Sequence, residues 1–175
     1  MENGHLDLAC RRSFPTPARA FYRMTLLSRL FPGSRRFGAY NLTYLDETQE
    51  TEIDSPCGAF MMVRASLRDS VGLLDERYFM YGEDLDWAYR IKAAGWKIMY
   101  VPAAQATHVK RASSRSNRSR TIRAFHDAMR IFYRDHYASG YPRPLSWLIF
   151  RAIDVREALE LAAARFGRPA GGVAA

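Results

Sequence analysis

The sequence is poor in the residues that tie together a small secreted fold or anchor a chain in a bilayer. Its two cysteines, Cys10 and Cys57, are too few for a disulfide framework and sit in no metal-binding spacing. A reduced, cytosolic setting is therefore expected. The apolar cluster at 145–150 is cut off by Arg151 and Asp154, far short of the roughly 20 residues that a spanning helix requires. His5, Asp7, Arg11, Arg12 and Arg19 fall where a secretory signal would carry its apolar core. These absences exclude a single-span anchor and leave a cytoplasmic chain, with peripheral contact at the inner face of the cell membrane as an option. There is also no internal repeat and no glycine-rich phosphate loop.

What is present is a composition of 48% hydrophobic and 25% charged residues over 175 positions, that of a folded domain rather than a disordered one. The net charge of +8 is spread unevenly. Residues 1–40 hold seven bases and two acids, and residues 41–60 hold five acids and no base. Residues 110–134 hold eight bases against Asp127 alone. That last segment calls for an anionic partner. Its serines and arginines lack stacking aromatics before Phe125, which favours phosphate binding through Lys110, Arg111 and Arg115 over specific nucleic-acid recognition.

Read for organisation, residues 1–54 form an irregular lead and a basic helix. Thr16 and Pro17 supply its cap and first position, and Phe21, Met24, Leu27, Leu30 and Phe31 follow at helical spacing until Pro32-Gly33-Ser34. Arg19, Arg23 and Arg29 give it a basic outer face. The acidic run from Asp46 to Asp54 is expected to be solvated. Residues 55–109 hold the densest pattern. Pro56 to Arg64 fits a buried strand or the start of a buried helix, 65–71 a short helix closed by Gly72, and 83–94 a helix stopped by Gly95. Trp96 to Val101 alternates as a strand, and 104–109 fits a second short one. Residues 110–168 form a basic loop and two amphipathic helices, at 121–137 and about 145–166. Ile122, Phe125, Met129, Phe132 and Tyr133 fall on one side of the first helix. The second carries Leu148, Ile149, Ala152, Ile153, Leu159 and Ala163 along one face. Residues 169–175 form a glycine- and alanine-rich tail, expected to be disordered.

The chemistry concentrates at Phe79-Met80-Tyr81-Gly82-Glu83-Asp84-Leu85-Asp86-Trp87. Three carboxylates in four positions repel one another, so each needs a use. Capping accounts for one or two, because the free N–H groups and dipole of a helix start favour acids. The preceding aromatic wall, Tyr78 to Tyr81, is what a general base serving a sugar hydroxyl would have beside it. On these residues alone capping and catalysis remain open. His108 after a strand is a structural residue or a metal ligand, and no acid near it in sequence would complete a site. His5, His126 and His136 are structural or surface residues.

Cys57-Gly58-Ala59-Phe60-Met61-Met62-Val63-Arg64, then Val71-Gly72-Leu73-Leu74-Asp75-Glu76-Arg77-Tyr78-Phe79-Met80-Tyr81-Gly82-Glu83-Asp84-Leu85-Asp86, then Ala94-Gly95-Trp96-Lys97-Ile98, Tyr100-Val101-Pro102 and His108 resemble the acceptor half of family 2 glycosyltransferases. Within that family the likeness is to the bacterial rhamnosyltransferase-type branch. The resemblance implies an α/β chain, a partial GT-A (nucleotide-diphospho-sugar transferase) fold lacking the N-terminal Rossmann-like half, with C-terminal amphipathic helices. It implies Asp84 as the base in an inverting transfer, with Glu83 and Asp86 orienting the acceptor or the motif. Cys57, Gly58, Tyr81, Gly82 and Trp87 would line the substrate, and His108 would ligate a divalent cation, manganese or magnesium. No Asp-x-Asp pair at a strand end is present to complete that cation site, and Asp84-Leu85-Asp86 opens a helix instead.

The expected partners are a nucleotide-sugar donor, bound through a missing or separate N-terminal half, and a cell-wall, polysaccharide or lipid-linked glycan acceptor. A non-catalytic remnant or partner subunit that binds a glycan or an anionic surface is the alternative, and a nucleic-acid binder using 110–123 is a third.

Overall fold

The computed structural model describes residues 6–108 and 118–166. Lys110, Arg111, Arg115 and the 169–175 tail lie outside them. The chain divides into two compact units, one of residues 1–74 and 84–109 and the other of residues 75–83 and 110–175.

In the first unit an arm precedes the helices. Asp7 caps a single 3-10 turn, Leu8–Cys10, by accepting from the Ala9 N–H at 3.0 Å. Arg12 then bridges Ser55 in antiparallel fashion: its N–H donates to the Ser55 carbonyl, and its own carbonyl accepts from Asp54 and Ser55. Arg11 is buried, its guanidinium donating to the Leu45 and Asp46 carbonyls at 2.9 and 2.8 Å. These bonds fasten the 40–55 loop to the arm.

Helix α1, Pro17–Met24, begins as its sequence dictates, with Thr16 Oγ1 accepting from the Arg19 N–H. The single helix expected through Phe31 is divided. Thr25 bonds back to the Phe21 carbonyl through its hydroxyl, and Leu26 adopts a left-handed φ of 62°. Such local side-chain bonds compete with helix continuation. The chain resumes as a single turn, α2, Leu27–Leu30.

Strands β1, Thr51–Ile53, and β2, Ile98–Tyr100, form a two-stranded antiparallel sheet pairing Thr51 with Tyr100, Glu52 with Met99 and Ile53 with Ile98. The acidic run is thus not merely solvated. Lys92 Nζ donates to Glu52 at 3.1 Å, to Asp54 at 2.9 Å and to the Ile53 carbonyl at 3.2 Å. Burial alone would lower the Lys92 pKa, but the bonds to Asp54 and Glu52 outweigh it and raise it. β1 went unseen because its three residues carry one strongly apolar side chain, too little for a period.

Two other expectations fail in this unit. Pro56 to Arg64 forms a turn and irregular chain rather than a buried element, and Met62 is 94% exposed. Residues 104–108 are irregular and exposed rather than a strand. In both cases no paired strand is present among the described residues, and an apolar segment without a ladder has nothing to fix it as β structure.

Helix α3, Leu67–Val71, closes on Gly72 at a φ of 82°. Helix α4, Glu83–Ala93, buries Leu85, Asp86, Ala88 and Ile91 and ends at Gly95, φ 86°.

The second unit is built on α5, Arg118–His136, and α6, Arg143–Arg165. α5 starts three residues before the expected Thr121. The inward faces match the expected ones at Phe132, Tyr133 and Ile153 and differ elsewhere. On α5 the buried residues are Ala124, His126, Ala128, Phe132 and Tyr133, while Phe125 is exposed. On α6 they are Ser146 and Ile153, while Leu148 and Leu159 are exposed. Polar pairing sets this rotation. Tyr133 and Ser146 share a hydroxyl hydrogen bond at 2.9 Å, and Tyr133 meets Phe150 edge-on. Arg130 donates to Asp154 at 2.8 Å and also reaches Glu157 and Asp127. The 75–83 segment is tied to α5 by Arg77 and Asp135 at 2.7 Å.

Hydrogen bonds from Arg130 hold the Asp154 carboxyl below its ordinary value of 3.8. A carboxyl whose folded pKa is depressed stabilises the fold above its unfolded value and loses that contribution as pH falls through its folded pKa. Asp154→Asn is therefore expected to lower the urea midpoint at neutral pH, and the gap to the parent chain should close on acidification below pH 3.8. A gap that persists in acid would mean that the pair does not carry the effect.

Candidate functional site

Asp84 is the most constrained of the candidate side chains. It is the second residue of α4, where backbone N–H groups lack helical partners. Its Oδ1 accepts from the Leu85 N–H at 2.7 Å. Its Oδ2 accepts from the Gly58 N–H at 2.9 Å and from Arg12 at 2.8 Å. The same Arg12 nitrogen reaches the Ser55 hydroxyl and the Pro56 carbonyl. Burial disfavours the charge on Arg12, yet the neighbouring Asp84 carboxylate outweighs it and the net shift is upward. The two side chains are 15% and 13% exposed, so the pair is shielded but not sealed.

Gly58 packs closely on Asp84: a Cβ there would lie 3.2 Å from the Asp84 Cβ, so the acid would have to shift by a few tenths of an ångström. The free thiol of Cys57 is half-buried beside it.

Asp86 has a different partner. Asp86 is buried, and its Oδ2 accepts from Arg90 at 2.8 Å one turn later. Arg90 also donates to the Val71 and Leu73 carbonyls at 2.7 and 2.8 Å. Asp86 thus holds the arginine that stops α3. Trp87 does related work, its indole N–H donating to the Gly72 carbonyl at 2.9 Å. Glu83 opens α4 half-buried.

Tyr81 and Gly82 belong to the second unit and take left-handed conformations in succession, at φ 69° and 84°. Tyr81 is exposed and meets Phe125 edge-on at 6.0 Å. Phe79 is exposed, with the Arg120 guanidinium over its ring at 4.1 Å. A Cβ on Gly82 would come within 3.1 Å of both Ala128 and Tyr78.

His108 is exposed in the irregular 104–108 stretch. Among the described residues no three His, Cys, Asp or Glu side chains converge on a metal position. One imidazole does not hold a divalent ion, so the described residues do not fit a resident cation. The phosphate-binding candidates Lys110, Arg111 and Arg115 lie outside the described residues.

Arg12 and Ser55 are the members of the site that the sequence did not disclose. The one available signal was Arg11-Arg12, an adjacent pair in an aperiodic arm followed by an acidic run.

A carboxylate held at a helix start, one oxygen doubly engaged and the other engaged once, defines a fixed acceptor for a proton or a hydroxyl. The model of the Glycosyltransferase like family 2 matches residues 23–125, which include Gly58, Asp84 and His108. The chain belongs to that family. It is 34% identical over 113 residues to the N-acetylglucosaminyl-diphospho-decaprenol L-rhamnosyltransferase of Mycobacterium tuberculosis, covering 65% of this chain and 37% of that protein. It is 40% identical over 74 residues to Rhamnosyltransferase WbbL of Escherichia coli K12, covering 42% of this chain and 28% of that protein. The chain thus spans 37% of the mycobacterial relative's length and 28% of the Escherichia coli relative's. No solved structure matches it. Helices with a small sheet are consistent with a partial α/β glycosyltransferase-like fold.

Gly82→Ala should cost about 2 kcal/mol, combining a left-handed backbone with a crowded Cβ. The readout is the urea midpoint of the full chain. An unchanged midpoint would mean that the 78–82 turn relaxes freely.

Proposed function

We propose that the chain is the acceptor-side part of an inverting glycosyltransferase. It transfers a sugar from a nucleotide-sugar donor to a cell-wall, polysaccharide or lipid-linked glycan. The mycobacterial relative is named as an L-rhamnosyltransferase acting on N-acetylglucosaminyl-diphospho-decaprenol, and this favours rhamnosyl transfer to a lipid diphosphate glycan. The donor-binding part would be supplied by polypeptide outside these 175 residues.

The observation that carries the reading is the placement of Asp84. Arg12 and Gly58 occupy Oδ2, and only the Leu85 N–H takes Oδ1, leaving a lone pair on Oδ1 for an acceptor hydroxyl. The acceptor O–H proton passes to that oxygen. The acceptor oxygen then forms its bond to the anomeric carbon as the bond from that carbon to the departing nucleoside diphosphate breaks, which inverts the centre. Asp86 and Trp87 act on the fold, through Arg90 and Gly72.

A glycan-binding chain without chemistry is the second reading. The three donors already on Asp84 favour it, since they occupy lone pairs that a base would offer to a hydroxyl.

The two readings separate on one substitution. In the chain complemented with a donor-binding half, Asp84→Asn should lower the rate of sugar transfer by about 10²–10⁴-fold while leaving acceptor affinity within about threefold. Transfer at the parental rate would remove Asp84 as the base. No transfer by the complemented parent chain, with acceptor binding retained, would favour the second reading.

A further inference from the structure

Helix α1 is amphipathic in the reverse of the usual sense. Its arginine face points into the protein. Arg19 donates to the Phe14 carbonyl at 2.9 Å and lies 3.8 Å from Asp54, and the Arg23 guanidinium sits 5.0 Å over the Tyr40 ring. The opposite face carries Phe21 and Met24, which are 58% and 53% exposed. After the turn at Leu26, α2 continues the same habit, with Leu30 and Phe31 at 68% and 53%. Neither helix buries a single residue. A helix that turns its apolar side to water gains nothing from the hydrophobic effect unless another phase covers that side.

The charge around this face selects the phase. Between Asp7 and Asp46 the sequence holds seven arginines and no acid. Arg29, Arg35 and Arg36 are exposed. A second copy of the chain seated here by a two-fold axis would oppose arginines to arginines. An anionic bilayer surface meets both demands, since acyl chains take the apolar side chains and headgroup phosphates take the guanidinium groups. We propose that α1 and α2 form an interfacial docking element for anionic lipid, inserting Phe21, Met24, Leu30 and Phe31 to the depth of the headgroups. This differs from a spanning segment, and no helix among the described residues is long and apolar enough to cross a membrane.

The proposal is independent of the chemistry at Asp84, because binding to lipid needs neither donor nor acceptor. The test is cosedimentation of the full chain with vesicles of phosphatidylcholine alone and of phosphatidylcholine with about one third phosphatidylglycerol, at low and at high salt. The expected result is partition onto the anionic vesicles at least tenfold stronger than onto neutral ones, weakened by salt. Phe21→Ser with Leu30→Ser should reduce it about tenfold, and Arg35→Glu with Arg36→Glu should abolish the preference for anionic lipid. All four positions are exposed, and far-ultraviolet circular dichroism matching the parent chain confirms that the variants are folded.

Equal partition of the parent chain and the Phe21→Ser, Leu30→Ser variant would overturn the proposal by placing any lipid contact elsewhere, the basic 110–123 segment included. So would failure to bind anionic vesicles. Concentration-dependent dimerisation that this double variant removes, without lipid binding, would assign the face to a second copy and overturn it equally.

Discussion

The Arg12–Asp84 ion pair is the constraint on which the first unit depends. One guanidinium nitrogen touches the Ser55 hydroxyl, the Pro56 carbonyl and the Asp84 carboxylate. It thereby joins the N-terminal arm, the turn that carries Gly58 and the first turn of α4. Taking a charge out of water is costly unless it is paired, and here each charge supplies the compensation for the other. The backbone bridge from Arg12 to Ser55 fixes the base of the guanidinium, so the position of its tip follows from main-chain geometry. The proposed base is in turn fixed by a residue outside the motif that contains it.

A second tier of polar contacts surrounds this pair and is structural in effect. Asp86, Arg90 and Trp87 draw α3 and its closing glycine onto α4. Lys92 holds β1 from the far end of the same helix. The crowded acids therefore do not share a task. Asp84 lies toward Gly58 and Arg12, while Asp86, two residues on, projects from another side of the helix toward Arg90. A 100° step per residue separates neighbours that look equivalent in a linear sequence.

What could be read without coordinates follows the physics of local signals. Thr16-Pro17, Gly72 and Gly95 mark helix ends because caps and left-handed stops are decided within a few residues, and all three lie where expected. β1 and the full inward faces of α5 and α6 depend on distant partners, namely Ile98, Arg130 and the Tyr133–Ser146 pair, so local periodicity marks only Phe132, Tyr133 and Ile153 of the buried positions. The site divides in the same way. Gly58 and Asp84 stood out by residue type and motif, and the structure brings them together. Arg12 did not, because a guanidinium in an aperiodic arm carries no sign of the carboxylate it will meet.

The Arg12–Asp84 contact also spans 72 positions of sequence, and that separation bears on the order of folding. Arg11 finds its carbonyl partners 34 and 35 residues away, so a nascent chain can settle that half of the arm early. Arg12 has no carboxylate to meet until α4 has been made, and closing so long a loop costs entropy before any contact repays it. During synthesis the partners of Arg12 at Ser55 and Pro56 emerge first, and its carboxylate partner arrives only with α4.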